Sequence, residues 1–268
     1  MGVNADAMTT DKRNAAGRHF DAQAVRYDGR YDDTSADGYA LRSRMVKALA
    51  AAGDGPGEAL DAGMGPGRLC AELAERGWTV SGVDASPEMV AVARTRLPAA
   101  RDRLLYAEIE SLPFPDDTFD LVTATGVLEY SDVPLALAEV ARVLRPGGRA
   151  IVSYPNPQAL YGMWKTRLWY PAARGAKRLL GRDDPTMPRG AAPRTPARFE
   201  DDLRRVGLVP DARQESSFLP AITPLEILLP GPVTGLGRRL ERKGGPRRAR
   251  LFATQVVFAA HKPPEGRA

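Results

Sequence analysis

Between residues 58 and 154, short apolar runs alternate with stretches in which apolar residues recur every three or four positions. The first kind of pattern predicts strands over 58–62, 78–83, 104–109, 119–125 and 149–154. The second predicts helices over 67–76, 87–97 and 133–144. Ser86-Pro87 reads as a cap followed by proline in the first turn, and Asp132-Val133-Pro134 is a similar start signal. Strands that are apolar throughout and joined by helices belong to a parallel sheet covered on both faces, so the fold class is α/β. Ahead of this unit, residues 18–52 read as helical pieces broken near Asp28-Gly29, followed by a loop from Gly53 to Gly57. The rhythm breaks over 156–194, which is rich in proline. It returns with a helix at 196–206, a strand at 208–217 and a last strand at 251–261. The intervening 218–250 is apolar first and strongly basic afterwards. Residues 1–17 read as a disordered tail and 263–268 as a short one.

Composition narrows the class. The 268 residues are 43% hydrophobic and 26% charged, which is ordinary for one globular domain with insertions. There is no run of eighteen apolar residues and no apolar leader, so neither a spanning helix nor a secretory signal is expected. Cys70 is the sole cysteine, which excludes an internal disulfide. It reads as a buried structural thiol. These points place the chain in the cytoplasm. The net charge of +5 hides an asymmetry: residues 1–160 carry −6 and residues 161–268 carry +11. The basic part suits nucleic acid, an anionic lipid surface or an acidic small molecule. A solvated arginine-rich face is the plainer alternative.

The chemistry concentrates where the first strand ends. Asp61-Ala62-Gly63-Met64-Gly65-Pro66-Gly67-Arg68 is a strand that breaks into a glycine loop and opens a helix. The glycines leave the main chain bare for a flat ligand. Asp84 ends the second strand beside that loop. The dinucleotide fingerprint G-x-G-x-x-G fails here, because Arg68 stands where its third glycine belongs.

The spacing found, with the acidic residue before it, resembles the first motif of class I S-adenosylmethionine-dependent methyltransferases. Val83 to Met89 resembles that family's second-strand acidic motif, Ala107 to Asp120 its third and fourth segments, and Leu144-Arg145-Pro146-Gly147-Gly148 the turn before its fifth strand. The likeness covers residues 20–155 well and 195–262 more loosely. It implies a Rossmann-like three-layer αβα sandwich over 18–262, with a seven-stranded, mostly parallel sheet and an antiparallel last strand. Residues 18–52 would form lid helices, and 156–194 and 218–250 would be insertions capping the acceptor. The implied cofactor is S-adenosyl-L-methionine. Asp84 would accept from the ribose hydroxyls, with Ala85 and Met89 beside it. Glu108 and Ile109 would read or pack the adenine, and Gly63 and Gly65 would let the methionine portion pass. Asp61 would face its ammonium group, and Thr125 the methyl end. Tyr27 or Tyr31 would reach the cofactor carboxylate; the alternative is aromatic packing on the sheet.

Methyl transfer is an in-line displacement at a sulfonium, and a hydroxyl acceptor also needs a base. Where many relatives place L-E-H, this chain has Leu128-Glu129-Tyr130. The candidate catalytic residues are therefore His19, Glu129 and Tyr130. His261 reads as a solvated residue of the C-terminal end. No cluster has metal-ligand spacing. The aromatic residues Tyr161, Trp164, Trp169 and Tyr170, with the apolar run from Phe218 to Leu229, suit a lipophilic or aromatic small-molecule acceptor methylated on oxygen. The same segments, flanked by arginines, suit peripheral contact with an anionic membrane. A nucleic-acid substrate is the second reading, disfavoured because no N/D-P-P-Y/F-type signature follows the fourth strand. A non-catalytic cofactor-binding protein is the third.

Overall fold

Every residue of strand β1 (Glu58–Ala62) except the first is buried, because helices cover the sheet on both sides. The computed structural model describes residues 24–31, 35–169, 171–172, 175, 193–220 and 228–264. Two helices precede β1, α1 (Ala24–Gly29) and α2 (Ala36–Ala52). The central run is α3 (Arg68–Glu75), β2 (Thr79–Asp84), α4 (Pro87–Arg96), β3 (Leu104–Tyr106), β4 (Phe119–Ala124), α5 (Val133–Val143) and β5 (Leu144–Pro155). Then come α6 (Leu160–Trp164), which runs into a π-helical turn at Lys165–Trp169, α7 (Pro196–Arg205) and β6 (Val209–Phe218). The chain closes with α8 (Pro230–Lys243), α9 (Pro246–Phe252) and β7 (Ala253–His261).

The seven strands form one sheet in the order β3-β2-β1-β4-β5-β7-β6. The first five are parallel to their neighbours, and β7 runs antiparallel to both β5 and β6. This is the Rossmann-like αβα sandwich expected, antiparallel closure included. The register has a consequence for function. Pro155 pairs with Gln255 and Phe218 with Ala253. The end of β6 and the start of β7 therefore share the edge at which β1, β2, β4 and β5 finish.

Two apolar layers hold the sandwich. Leu137, Val140, Phe199 and Leu203, from α5 and α7, close over Leu60, Val122 and Phe258. There Phe199 stacks between Tyr154 and Phe258, with ring centres 5.0 and 4.7 Å apart. On the other face Ala48, Leu49 and Leu73, from α2 and α3, pack on Leu121, Ile151 and Val257. The helix starts follow the sequence signals: Ser86 Oγ accepts from Met89 N at 3.1 Å, and Asp132 Oδ1 from Leu135 N at 3.3 Å.

Three expectations change. The strand expected over 104–109 stops at Tyr106, because the chain turns at Glu108, whose carbonyl accepts from Ser111 N at 3.1 Å. The turn at 144–148 lies inside β5 as a register shift against β4, between Phe119 and Leu121. Residues 218–250 contain two helices, α8 and α9, which the basic composition obscured. His261 ends β7, as the expected last strand has it, and its partly exposed ring places Nδ1 2.7 Å from Asp211 Oδ1 at the edge away from the strand ends. The tails at 1–17 and 265–268 lie outside the described residues.

Gly82 marks a tight wall between sheet and helix. A Cβ there would collide with Met64 Sδ and stand 3.1 Å from Leu104 Cδ2 and 3.3 Å from Cys70 Sγ. Gly82→Ala is expected to destabilise the fold by about 1–3 kcal/mol through overpacking, read as a lower urea midpoint at unchanged slope. A midpoint equal to wild type would show that this wall yields freely.

Candidate functional site

The glycine loop is fixed by backbone bonds before any side chain is considered. Gly63 N and Met64 N both donate to Val83 O, at 2.8 and 2.9 Å. Gly65 has φ +53°, a region open to glycine. It donates to Asp84 Oδ2 at 2.8 Å, while Ser86 N donates to Oδ1 at 2.9 Å. One carboxylate thus joins the loop after β1 to the loop after β2. Asp84 also lines the cleft beside this loop. A Cβ at Gly65 would meet nothing within 4 Å, so this stretch of main chain borders open space. The cleft there spans about 960 Å³, counting the open space at its mouth. Ala85, Ser86 and Met89 form one wall, and the turn Glu108-Ile109-Glu110 after β3 forms the facing one.

Asp61 forms the floor at 3% exposure. Its Oδ1 accepts from Thr123 Oγ1 at 2.7 Å, and the Cys70 thiol donates to Oδ2 at 3.7 Å. Burial pushes its carboxyl up to about 6, against the opposing pull of those two bonds; Asp84 pushes in the same direction and Arg44 opposes it. Cys70 is buried and its thiol is driven up by desolvation, as the structural reading expected.

Arg44 was not legible as a site residue, yet it is the buried cation of this cleft. It lies on the inner stripe of α2 with Leu41, Ala48 and Leu49. The available signal was a charged residue interrupting an apolar helical face. Burial works against its charge, but Glu129, Tyr27, Tyr31 and Tyr130 together hold its pKa above the ordinary arginine value. Among the described residues no carboxylate pairs with it directly. Its guanidinium lies over Gly126, at φ +76°, where a Cβ would collide with it.

Helix α1 closes the cleft from above. Asp28 accepts from Arg68 Nε and from Arg96 Nη2, each at 2.7 Å, which clips α1 to α3 and α4. Burial alone would raise its pKa, but the two arginines hold it below the usual carboxylate value. Tyr27 and Tyr31 line the cleft beneath this clip, with ring centres 6.3 Å apart. At the far end Thr125, Gly126, Val127, Tyr130 and Ser131 complete the lining. All ten residues expected to bind the cofactor (Tyr27, Asp61, Gly63, Gly65, Asp84, Ala85, Met89, Glu108, Ile109 and Thr125) therefore meet in one cleft. Of the catalytic candidates, Tyr130 lines it. Glu129 stands behind the lining with a buried Oε2 that has no hydrogen-bond partner, and desolvation raises its pKa. His19 lies outside the described residues. Among the described residues no group of His, Cys, Asp and Glu could hold a metal ion.

The Asp61 shift fixes a sign. A carboxyl raised from 3.8 to about 6 stabilises the ligand-free fold fully below its unfolded value and loses that contribution as pH rises through 6. Relative to Asp61→Asn, the wild type should lose about 2 kcal/mol between pH 4 and pH 7. Parallel stability profiles for the two proteins would contradict the burial of this charge.

Comparison with known proteins agrees with the geometry. A family described as methyltransferase domain matches residues 60–152. A demethylmenaquinone methyltransferase of Thermus thermophilus is 39% identical over 153 residues, covering 54% of this chain and 68% of the relative. A malonyl-[acyl-carrier protein] O-methyltransferase of Halorhodospira halophila is 33% identical over 166 residues, covering 59% and 55%. The chain thus spans between about half and two thirds of the length of these relatives. A Burkholderia thailandensis 1,6-didemethyltoxoflavin-N1-methyltransferase, solved with S-adenosylhomocysteine, shares the fold at TM-score 0.57 and 19% identity, over 95% of this chain and 90% of that one. The glycine loop welded to Asp84 lies inside the matched segment, and with these likenesses it assigns the chain to the class I S-adenosylmethionine-dependent methyltransferases.

Proposed function

We propose that this protein transfers the methyl group of S-adenosylmethionine to a hydroxyl of a small lipophilic acceptor. The observation that carries the reading is the charge layout of one cleft: acceptor atoms at Asp84, a buried arginine and a buried carboxylate at the other end, and a carboxylate with a vacant oxygen behind Tyr130.

The residues fit the cofactor part by part. Asp84, a carboxylate in the cleft lining, suits two ribose hydroxyls, and its bonds to Gly65 N and Ser86 N hold the loops still. Ala85, Met89 and Ile109 offer apolar surface to an adenine ring, and Glu108 an acceptor for its amine. Arg44 suits the carboxylate of the methionine portion and Asp61 its ammonium group, with Tyr27 and Tyr31 roofing both. When bound, the cofactor supplies an electrophilic methyl group on a sulfonium.

Protein groups then do two things. Closure by α1 keeps water from the line between acceptor and sulfur, so orientation supplies much of the rate. Tyr130 would orient the acceptor hydroxyl, and the Glu129 carboxylate, buried behind it, would take the proton that the hydroxyl gives up on methylation. The products are a methyl ether and S-adenosylhomocysteine. Two relatives are named for reactions on oxygen and on a quinone precursor, which is compatible with an oxygen-bearing lipophilic acceptor.

Binding is tested first, by calorimetry. Asp84→Ala is expected to weaken both S-adenosylmethionine and 5′-methylthioadenosine by about 1.5–3 kcal/mol, the scale of hydrogen bonds to a charged group. Arg44→Met should weaken only the former, because the latter lacks the amino-acid end. Equal losses for both ligands in Arg44→Met would remove that residue from the assignment. Turnover is tested with labelled cofactor on a panel of hydroxylated lipophilic acceptors. The base must be ionised to act, and burial raises Glu129 from its ordinary 4.5, so kcat/KM should climb with pH through a pKa above that value. Glu129→Gln should remove this limb and cost about 10²-fold or more in rate. A Gln variant with the wild-type profile would point to an acceptor that needs no base, such as carbon.

A further inference from the structure

Apolar side chains left in water gather on one part of this molecule. Most of the large ones lie on α6, its π-turn, α8 with the two residues before it, and α9. Leu168 is 57% exposed, Leu228 68%, Leu229 52%, Leu236 50% and Leu251 42%. These elements are not loosely attached. Gly237 of α8 seats against the Phe218 carbonyl, and Tyr39 Oη donates to Glu241 Oε2 at 2.6 Å. Val233 joins Tyr39, Leu219 and Ala36 in a small core against which Tyr161 packs. The described apolar residues of the two insertions thus divide. One set completes the core, and the other faces outward.

The same surface is basic. Residues 228–252 carry Arg238, Arg239, Arg242, Lys243, Arg247, Arg248 and Arg250 against the single acid Glu241. Glu241 is engaged by Tyr39, Ser43 and Lys47. Among the described residues no carboxylate pairs with any of the seven cations. Arg239, Lys243 and Leu236 share the outer side of α8, opposite the buried Val233 and Gly237. Long cationic side chains beside exposed leucines are what an interface between apolar and charged layers selects, since the stems lie along apolar surface while the heads reach phosphates. Topology supplies the location. α6 leaves the end of β5, and α8 and α9 lie between the end of β6 and the start of β7, so all three sit on the edge where the cleft opens.

We propose that this face docks on an anionic lipid bilayer, setting the cleft mouth at the surface where a lipophilic acceptor partitions. The charge selects an anionic partner, and a patch dominated by exposed leucines, with Trp169 at 37% exposure as the sort of residue that sits at headgroup level, selects a bilayer over RNA, whose recognition calls for several stacking aromatics. Among the described residues no helix is long and apolar enough to cross a membrane, so the contact is peripheral. Docking is independent of which atom is methylated, and the test reads binding alone.

The full chain is sedimented with vesicles of phosphatidylcholine, and with vesicles of phosphatidylcholine mixed with phosphatidylglycerol. Binding is expected to the mixed vesicles only, weakening as salt rises. Arg239→Glu/Arg242→Glu/Lys243→Glu and Leu228→Ser/Leu229→Ser/Leu236→Ser should each lower partitioning by about ten-fold or more. Both variants should bind S-adenosylmethionine as the wild type does, which separates loss of docking from loss of fold. Absence of wild-type binding to the mixed vesicles would overturn the proposal. So would partitioning indifferent to both variants, or RNA binding that depends on these arginines without any vesicle binding.

Discussion

The site depends on the two hydrogen bonds that Asp84 accepts from backbone amides. Gly65 N and Ser86 N belong to loops that leave different strands, and neither loop has a regular structure to hold it. A carboxylate bonding two amides fixes their separation, and charge-assisted bonds of this kind are stronger than neutral ones. The carbonyl of Val83 does the same work one residue earlier, accepting from Gly63 and Met64. The cleft is therefore formed by main-chain geometry at the end of β2. Side chains from α1, α2 and the turn after β4 are added to a frame that already exists.

That frame explains which parts of the molecule the sequence disclosed. The Asp61 to Arg68 loop, Asp84 and the Glu108-Ile109 turn are local. Each sits within a few residues of a strand end, so strand pattern and residue type together located it. Arg44 is a different case. It reaches the cleft because α2 lies across β5, β7 and β6, a packing set by strands more than a hundred residues away. Its only local mark was a charge on an apolar stripe, which many surface helices also tolerate. The helices α8 and α9 were hidden for another reason. Gly231, Gly235 and Gly237 lower helix propensity, and α8 exists because Gly237 can approach the Phe218 carbonyl.

Conversely, β3 shows tertiary contacts overriding a run of good strand formers. Leu104-Leu105-Tyr106-Ala107 continues as apolar sequence, but β2 ends at Asp84 and offers β3 no further partner. The chain is free to turn at Glu108. That early stop is useful, because a strand continued to Ile109 would carry Glu108 and Ile109 along the sheet edge and not across the cleft from Asp84.

The two charges at the deep end deserve to be considered together. Asp61 is buried with its carboxyl raised toward neutrality, and Arg44 is buried without a direct carboxylate partner among the described residues. Had they formed an ion pair, the desolvation of each would be offset, and the fold would gain what the cleft gives up. Instead Thr123 and Cys70 hold one, and Glu129 with a ring of tyrosines surrounds the other. Each charge lacks a direct hydrogen-bonded ion partner among the described residues and remains incompletely compensated. A zwitterion placed between them would satisfy both, its ammonium drawing the Asp61 proton equilibrium back toward the ionised form. Ligand binding and the ionisation of Asp61 are then linked, and the site is strongest for a ligand that carries both signs of charge at that spacing.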